Sequence, residues 1–236
     1  MSDDIRHAAL SDIGRRRSRN EDSMVVEPEL GLFLVADGMG GHEHGDVASR
    51  LAAELIHEAV AGGEELEGAI RRANRHILGQ SGAGSPFPMG TTVCAVLMNG
   101  PTYRLAWVGD SRAYRFNGDL ERLTTDHTYV QELVDRGHLN DRQAREHPYR
   151  NMLLQALGVT DQDELQVAEV TGELAPGEGL LLCTDGLTGE LDDDDISGIL
   201  AEDGDLESAA KTLVDRALEH GGNDNVTLIL IRRDAM

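Results

Sequence analysis

Four places in the chain set an aspartate at the end of an apolar run or in the turn that opens one: Ala36-Asp37-Gly38, Val108-Gly109-Asp110, Thr184-Asp185-Gly186 and Asn223-Asp224-Asn225. Glu21 and Asp22 follow the first apolar run and add two more acids. A buried strand fixes its backbone, so a carboxylate at its end is aimed at a fixed point, which is how a rigid oxygen-rich cation site is built. Taken singly, each Asp-Gly is ordinary turn chemistry, because Asp bonds its own following backbone and Gly supplies positive φ. Taken jointly, in a chain whose only lysine is Lys211, converging carboxylates repel unless a cation joins them. All-oxygen ligands select magnesium or manganese rather than zinc. Aligning GLFLVADGMGG (31–41) on GLLLCTDGLTG (179–189) gives six identities in 11 positions, so the same device of a strand followed by Asp-Gly occurs twice.

The elements that must hold these acids follow from periodicity. Strand-like runs stand at 7–13, 23–27 and 31–36. From Asp46 onward, Val47, Leu51, Leu55, Ile56 and Ala59 recur at helical spacing; Gly62-Gly63 breaks the pattern and a second helix runs over 64–78. Residues 79–90 form a loop rich in Gly, Pro and Ser, followed by strands at 91–98 and 102–108 and a hairpin over 113–123 turning at Asn117-Gly118. A polar stretch with short helices at 130–136 and 141–147 makes a flap near residues 137–158. Strands at 165–170 and 179–184, helices at 193–201 and 206–220, and a last strand at 226–232 complete the chain. Strand groups alternating with helix pairs, with hairpins among the strands, predict an α+β fold of antiparallel sheets covered by helices rather than a doubly wound parallel sheet. No Pro/Ser-rich linker or change of composition interrupts the 236 residues, which read as one domain over 1–236.

Composition removes several function classes. Forty-three acids against 21 bases give a formal charge of -22, and aromatic residues make up 3%, so a basic groove or base-stacking platform for nucleic acid is not expected. Lys211 follows Ala210, which excludes a phosphate-loop GxxxxGKS/T and a kinase VAIK, and with them ATP-driven phosphoryl transfer of either type. Neither Cys94 nor Cys183 has an arginine six positions later, so a CxxxxxR nucleophile is absent, and both cysteines read as small core residues. The sequence GDSRA (109–113) ends in Ala and precedes a strand, unlike a serine-hydrolase elbow. No apolar run reaches the roughly 18 residues of a membrane span, and MSDDIRHAAL has no signal-peptide pattern. The cytoplasm, with no membrane association, is the expected location.

The ordered motifs SDIGRRRSRNED (11–22), ADGMGG (36–41), MGTT (89–92), VGDSRAY (108–114), LLCTDGL (181–187) and GNDNVT (222–227) resemble those of the metal-dependent serine/threonine protein phosphatases of the 2C type, in their bacterial form. The resemblance runs over nearly the whole chain. It implies a four-layer α-β-β-α sandwich of two antiparallel sheets flanked by helix pairs, with Mn2+ or Mg2+ between the sheets: two tightly placed ions and a third, weaker one. By motif position, Asp37 bridges both ions, Asp185 and Asp224 hold one, and Glu21 with the backbone carbonyl of Gly38 serves the other. Asp22 orders a water behind the ligands, Asp110 with Asp185 holds the third ion, and Arg17 is the phosphate clamp, chosen from a run that includes Arg15, Arg16 and Arg19.

The implied reaction is hydrolysis of phosphoserine and phosphothreonine in proteins by a water or hydroxide bridging two Mg or Mn ions, opposing a bacterial Ser/Thr kinase. Two divalent ions acidify a water and clamp the phosphate for in-line attack, and a guanidinium matches phosphoryl oxygens in a fork that lysine does not reproduce. The expected partners are phosphoproteins, including a cognate Ser/Thr kinase and its substrates, met by a monomer. Eukaryotic members carry a histidine directly after the first Asp-Gly, whereas this chain has Met39 there and His42 after Gly40-Gly41. His42 as catalytic acid, a water in that role, and a purely structural His42-Glu43-His44 cluster all stay open. A phosphatase-like binding module without turnover is the alternative from another class, opposed by the joint presence of Asp37, Asp185, Asp224 and Arg17.

Overall fold

The computed structural model describes residues 5–40, 44–81, 89–202 and 204–234. In chain order the elements are β1 (Ile5–Asp12), β2 (Asp22–Glu27), β3 (Leu32–Met39), α1 (Gly45–Ala61), α2 (Leu66–Ser81), β4 (Gly90–Thr91), β5 (Val93–Asn99), β6 (Thr102–Val108), β7 (Arg112–Phe116), β8 (Leu120–Arg122), α3 (Tyr129–Asp135), α4 (Asp141–Arg145), β9 (Ala168–Glu173), β10 (Gly179–Cys183), α5 (Asp185–Thr188), α6 (Asp193–Glu202), α7 (Leu206–His220) and β11 (Val226–Arg233). Two sheets form, one ordered β1-β11-β10-β7-β8 and the other β2-β3-β5-β6-β9, with β4 added against β3. Every pairing within them is antiparallel.

Strand alternation sorts the side chains into three apolar layers, as a pleat of period two requires. In β3, Leu32, Leu34 and Ala36 pack with Ile56, Ile70 and Ile77 of α1 and α2, while Phe33 and Val35 face the other sheet. In β10, Leu181 and Cys183 meet α6 and α7 through Leu200, Leu213 and Val214, while Leu180 and Leu182 turn inward with Ile229 and Ile231 of β11. The result is helices, sheet, sheet, helices, held by two helix-facing cores and one core between the sheets. Cys94 and Cys183 are buried, unpaired core residues.

Three local departures from the periodicity reading have physical reasons. The strand expected over 91–98 is interrupted at Thr92, whose amide and hydroxyl are both engaged with Asp37. The strand expected over 165–170 begins at Ala168 and runs to Glu173, following its partner β6 from Trp107 to Thr102. β3 continues through Asp37 and Gly38 to Met39 because β4 pairs with that end, Gly38 opposite Thr91. The repeated Asp-Gly therefore has two outcomes: the first lies inside a strand, and the second opens the single-turn helix α5. The flap over 137–158 is present, built on α4 and closed at its base by bridges between Thr128 and Leu153 and between Thr91 and Leu157. Most of the 79–90 loop lies outside the described residues.

Candidate metal centre

The candidate site lies at one end of the gap between the sheets, where the strand periodicities run out. Phe33 and Val35 point inward from β3, so Asp37, two residues on, points inward as well. Asp22 stands directly opposite Asp37 in the β2–β3 register. Thr184 extends the inward series of Leu180 and Leu182, and Asp185 follows it at the start of α5. Asp224 closes the turn before β11. The connections that cross between sheets carry the rest: β1 to β2 holds Arg17 and Glu21, and β6 to β7 holds Asp110.

These groups share one cavity of about 240 Å3, lined by Arg17, Glu21, Asp37, Gly38, Asp110, Asp185 and Asp224, with Asn151 and Leu153 of the flap on its rim. The Asp37 and Asp185 carboxyl groups, one at the end of β3 and one just after β10, face each other across this cavity closely enough for their charges to interact. Burial and the neighbouring carboxylates push Asp37 and Asp110 well up from the ordinary aspartate range, and burial raises Asp185. Burial likewise pushes Asp22 up to about 7, against hydrogen bonds from Thr227 and Thr184; Thr184 donates to it at 2.9 Å. Burial is also the largest cause of an upward shift at Glu21.

The backbone around the acids is tied down from several sides. Thr92 accepts from the Asp37 amide at 3.0 Å and Thr91 donates to the Asp37 carbonyl at 2.9 Å, and Thr92 pairs with Ser111, next to Asp110, at 2.7 Å. Asn225, 4% exposed, accepts from the Glu21 amide at 2.8 Å and donates to the carbonyls of Ile13 at 2.8 Å and Arg19 at 2.9 Å. All of its side-chain bonds go to the loop that carries Arg17. Gly14 in that loop has φ +78, and a Cβ there would come 2.1 Å from the Asp224 carbonyl. Glu190, just beyond α5, accepts from the Asn223 amide at 3.0 Å and its side chain at 2.7 Å, fixing the turn that presents Asp224.

Several features of the chain suit a hard divalent cation. The donors are carboxylates with one backbone carbonyl, an all-oxygen set. One Asp185 oxygen is buried with no hydrogen-bond partner, which is costly unless something electropositive meets it. A Cβ at Gly45 would lie 2.6 Å from Glu21 Oε2 and 2.8 Å from the Gly38 carbonyl, so these two oxygens face a common point beside a residue that must stay glycine. Among the described residues no three acidic, histidine or cysteine side chains close into a coordination cage. The acids are instead turned onto partners of the chain's own: Asp22 onto Thr184, and Asp224 onto Arg17, whose Nη2 donates at 2.6 Å.

Glu21, Asp22, Asp37, Gly38, Asp110, Asp185, Asp224 and Arg17 are thus brought together, while His42 lies outside the described residues. Sequence reasoning missed the roles of Asn225, Thr92, Thr184 and Glu190. Thr184 was within reach through the inward alternation of β10, whereas Asn225 and Glu190 act across sequence distances that no local pattern reveals.

The protein phosphatase 2C model matches residues 14–225. The chain is 36% identical over 241 residues to the serine/threonine phosphatase Stp of Listeria welshimeri serovar 6b, covering 96% of this chain and 95% of that one. The Mycobacterium tuberculosis serine/threonine phosphatase PstP/Ppp superposes with a TM-score of 0.88 at 33% identity, over 98% of this chain and 99% of its own. A second structure, the PstP catalytic domain in complex with two manganese ions, gives a TM-score of 0.86 at 33% identity over the same shares. With one fold, an all-oxygen donor set between its sheets and these relatives, the chain belongs to the bacterial form of the protein phosphatase 2C family, the metal-dependent serine/threonine protein phosphatases.

Proposed function

We propose that the chain is one catalytic domain that hydrolyses phosphoserine and phosphothreonine in proteins, acting as a monomer in the cytoplasm against a bacterial Ser/Thr kinase. The observation that carries this reading is the single cavity between the sheets in which Asp37 and Asp185 meet, ringed by Glu21, Asp110, Asp224 and Arg17. Asp37 would be shared by two cations, with Asp185 and Asp224 on one side and Glu21 and the Gly38 carbonyl on the other. Asp110 with Asp185 would serve a third. Bound Mn2+ or Mg2+ ions would supply Lewis acidity at this site, acidifying water and neutralising the charge of the phosphoryl group.

The chain's own residues do the remaining work. Arg17 offers a planar fork to the phosphoryl oxygens and sits among the carboxylates that attract it, Asp224, Asp37 and Glu21. Asp22, fixed by Thr184 behind Asp37, orients a water at the rear of the site. Asn151 and Leu153 bring the flap to the rim, where they meet the part of the substrate next to the phosphorylated residue. His42 is retained as a proton donor to the leaving alkoxide, in competition with a water. Among the described residues no helix is long and apolar enough to cross a membrane.

The test is hydrolysis of an aryl phosphate and of a phosphothreonine peptide with manganese, with magnesium and with chelator, comparing wild type with Asp37→Ala and Asp185→Ala. Metal-dependent turnover lost in both variants supports the reading. Metal binding without turnover of either substrate would reject the enzyme and leave a binding module.

A further inference from the structure

The ion pair between Arg17 and Asp224 joins the two halves of the proposed chemistry. The guanidinium meant for the phosphoryl group turns one N–H group onto a carboxylate meant for a cation, Nη2 to Oδ2 at 2.6 Å. The two groups come from opposite ends of the chain and are held in reach by fixed backbone: Arg15 N donates to the Gly222 carbonyl at 2.7 Å, and Asn225 ties the Arg19 carbonyl beside Asp224. Arg17 is half exposed, so it can leave Asp224 without unpacking anything. Its neighbour Arg16 is exposed as well.

We propose that Arg17 is an internal counter-cation for Asp224 that a divalent ion must displace, and that displacement is what frees the guanidinium for phosphate. This rests on the reading of Asp224 as a cation ligand. Asp224 Oδ1 already accepts from the Asn225 amide at 2.8 Å and Oδ2 from Arg17, so a cation at Asp224 meets the guanidinium at Oδ2 and the two positive groups compete there. The consequence is an ordered site: cation binding and phosphate binding favour one another through Arg17, and the clamp is unavailable until the site is loaded. By linkage, removing the competitor must strengthen cation binding by the free energy of the pair.

The experiment is calorimetric titration of Mn2+ alone into chelator-treated wild type, Arg17→Gln, Arg16→Gln and Asp224→Asn, with thermal melts to show that each is folded. Inorganic phosphate is then titrated into the Mn2+-saturated proteins. An exposed charged pair is worth up to about 1 kcal/mol, so Arg17→Gln is expected to bind Mn2+ about three- to fivefold more tightly, with Arg16→Gln changed less than about twofold on the same scale. The same Arg17→Gln protein is expected to bind phosphate more weakly than wild type. Opposite shifts in one variant are what competition produces and what a purely structural role for Arg17 does not. Unchanged or weaker Mn2+ binding in Arg17→Gln, while Asp224→Asn loses affinity, would overturn the proposal and leave the metal reading intact. Equal tightening in Arg16→Gln would overturn it in favour of a general charge effect, and absence of Mn2+ binding in wild type would overturn both.

Discussion

Asp22 and Asp37 stand directly opposite one another in the antiparallel β2–β3 pair, two carboxyl groups on one face of a sheet. Like charges in that position destabilise a sheet, and the chain answers them with the Thr184 hydroxyl, which donates to Asp22. Without a cation, protons are the remaining means of relief.

The metal-free protein should lose stability as pH rises. Asp22 titrates at about 7 in the fold and at about 4 when unfolded, and Asp37, Asp110 and Asp185 are shifted the same way. A raised carboxyl favours the fold fully below its unfolded value, and that contribution is gone once pH has passed the folded value. Melting temperatures of chelator-treated protein should therefore fall as pH rises from about 4 to about 7, and the gain on adding Mn2+ should be larger at pH 8 than at pH 6. A gain that is equal at the two pH values would contradict the upward shifts.

Asp37→Asn and Asp185→Asn should separate stability from function. Each removes a buried charge from a repelling group, so the chelated variants should melt at or above wild type, while turnover falls by at least about 1,000-fold through loss of metal-assisted chemistry. Melting and turnover measured on the same samples decide it; a lower melting point in both variants would show that the carboxylates are structural.

Asn225→Asp tests the tie between the two chain ends. An aspartate keeps the acceptor for the Glu21 amide but cannot donate to the carbonyls of Ile13 and Arg19. Leaving these groups unsatisfied should cost about 2–4 kcal/mol in chemical denaturation and raise KM for aryl phosphate through misplacement of Arg17. Stability within about 0.5 kcal/mol of wild type would mean that water replaces the side chain.

Glu190 offers a cleaner contrast because the needed property is acceptance rather than charge. Gln at this position keeps an oxygen for both Asn223 donors, so Glu190→Gln should retain Mn2+ affinity within about twofold and Glu190→Ala should lose about tenfold, the usual scale for residues that orient a ligand. If Gln behaves like Ala, the negative charge itself is what the site uses.

The sheets, both helix pairs and the hairpins were legible because period-two and period-3.6 patterns are local. The acids were legible because Asp-Gly after an apolar run is short and distinctive, twice over in GLFLVADGMGG and GLLLCTDGLTG. What sequence could not distinguish is how those two copies differ: β4 supplies a partner that keeps Asp37 in a strand, and Asp185 has none and turns into α5. The bonds from Asn225 and Glu190 join segments up to 212 positions apart, and pairing at that range depends on the closed fold. Arg17 was picked from a run of arginines by resemblance, and its contact with Asp224 is the geometric feature that sets it apart.

The division of the acids between sheets has a consequence for assembly. Asp22 and Asp37 belong to one sheet, and Asp185 and Asp224 flank strands of the other, so neither sheet with its own helices carries a complete set. A chain in which each half has formed but the two have not yet docked can hold a cation only weakly. Tight uptake of metal would then mark the moment at which the halves close, and a cation present during refolding would act on the last step of assembly, slowing its reversal and leaving the earlier steps untouched.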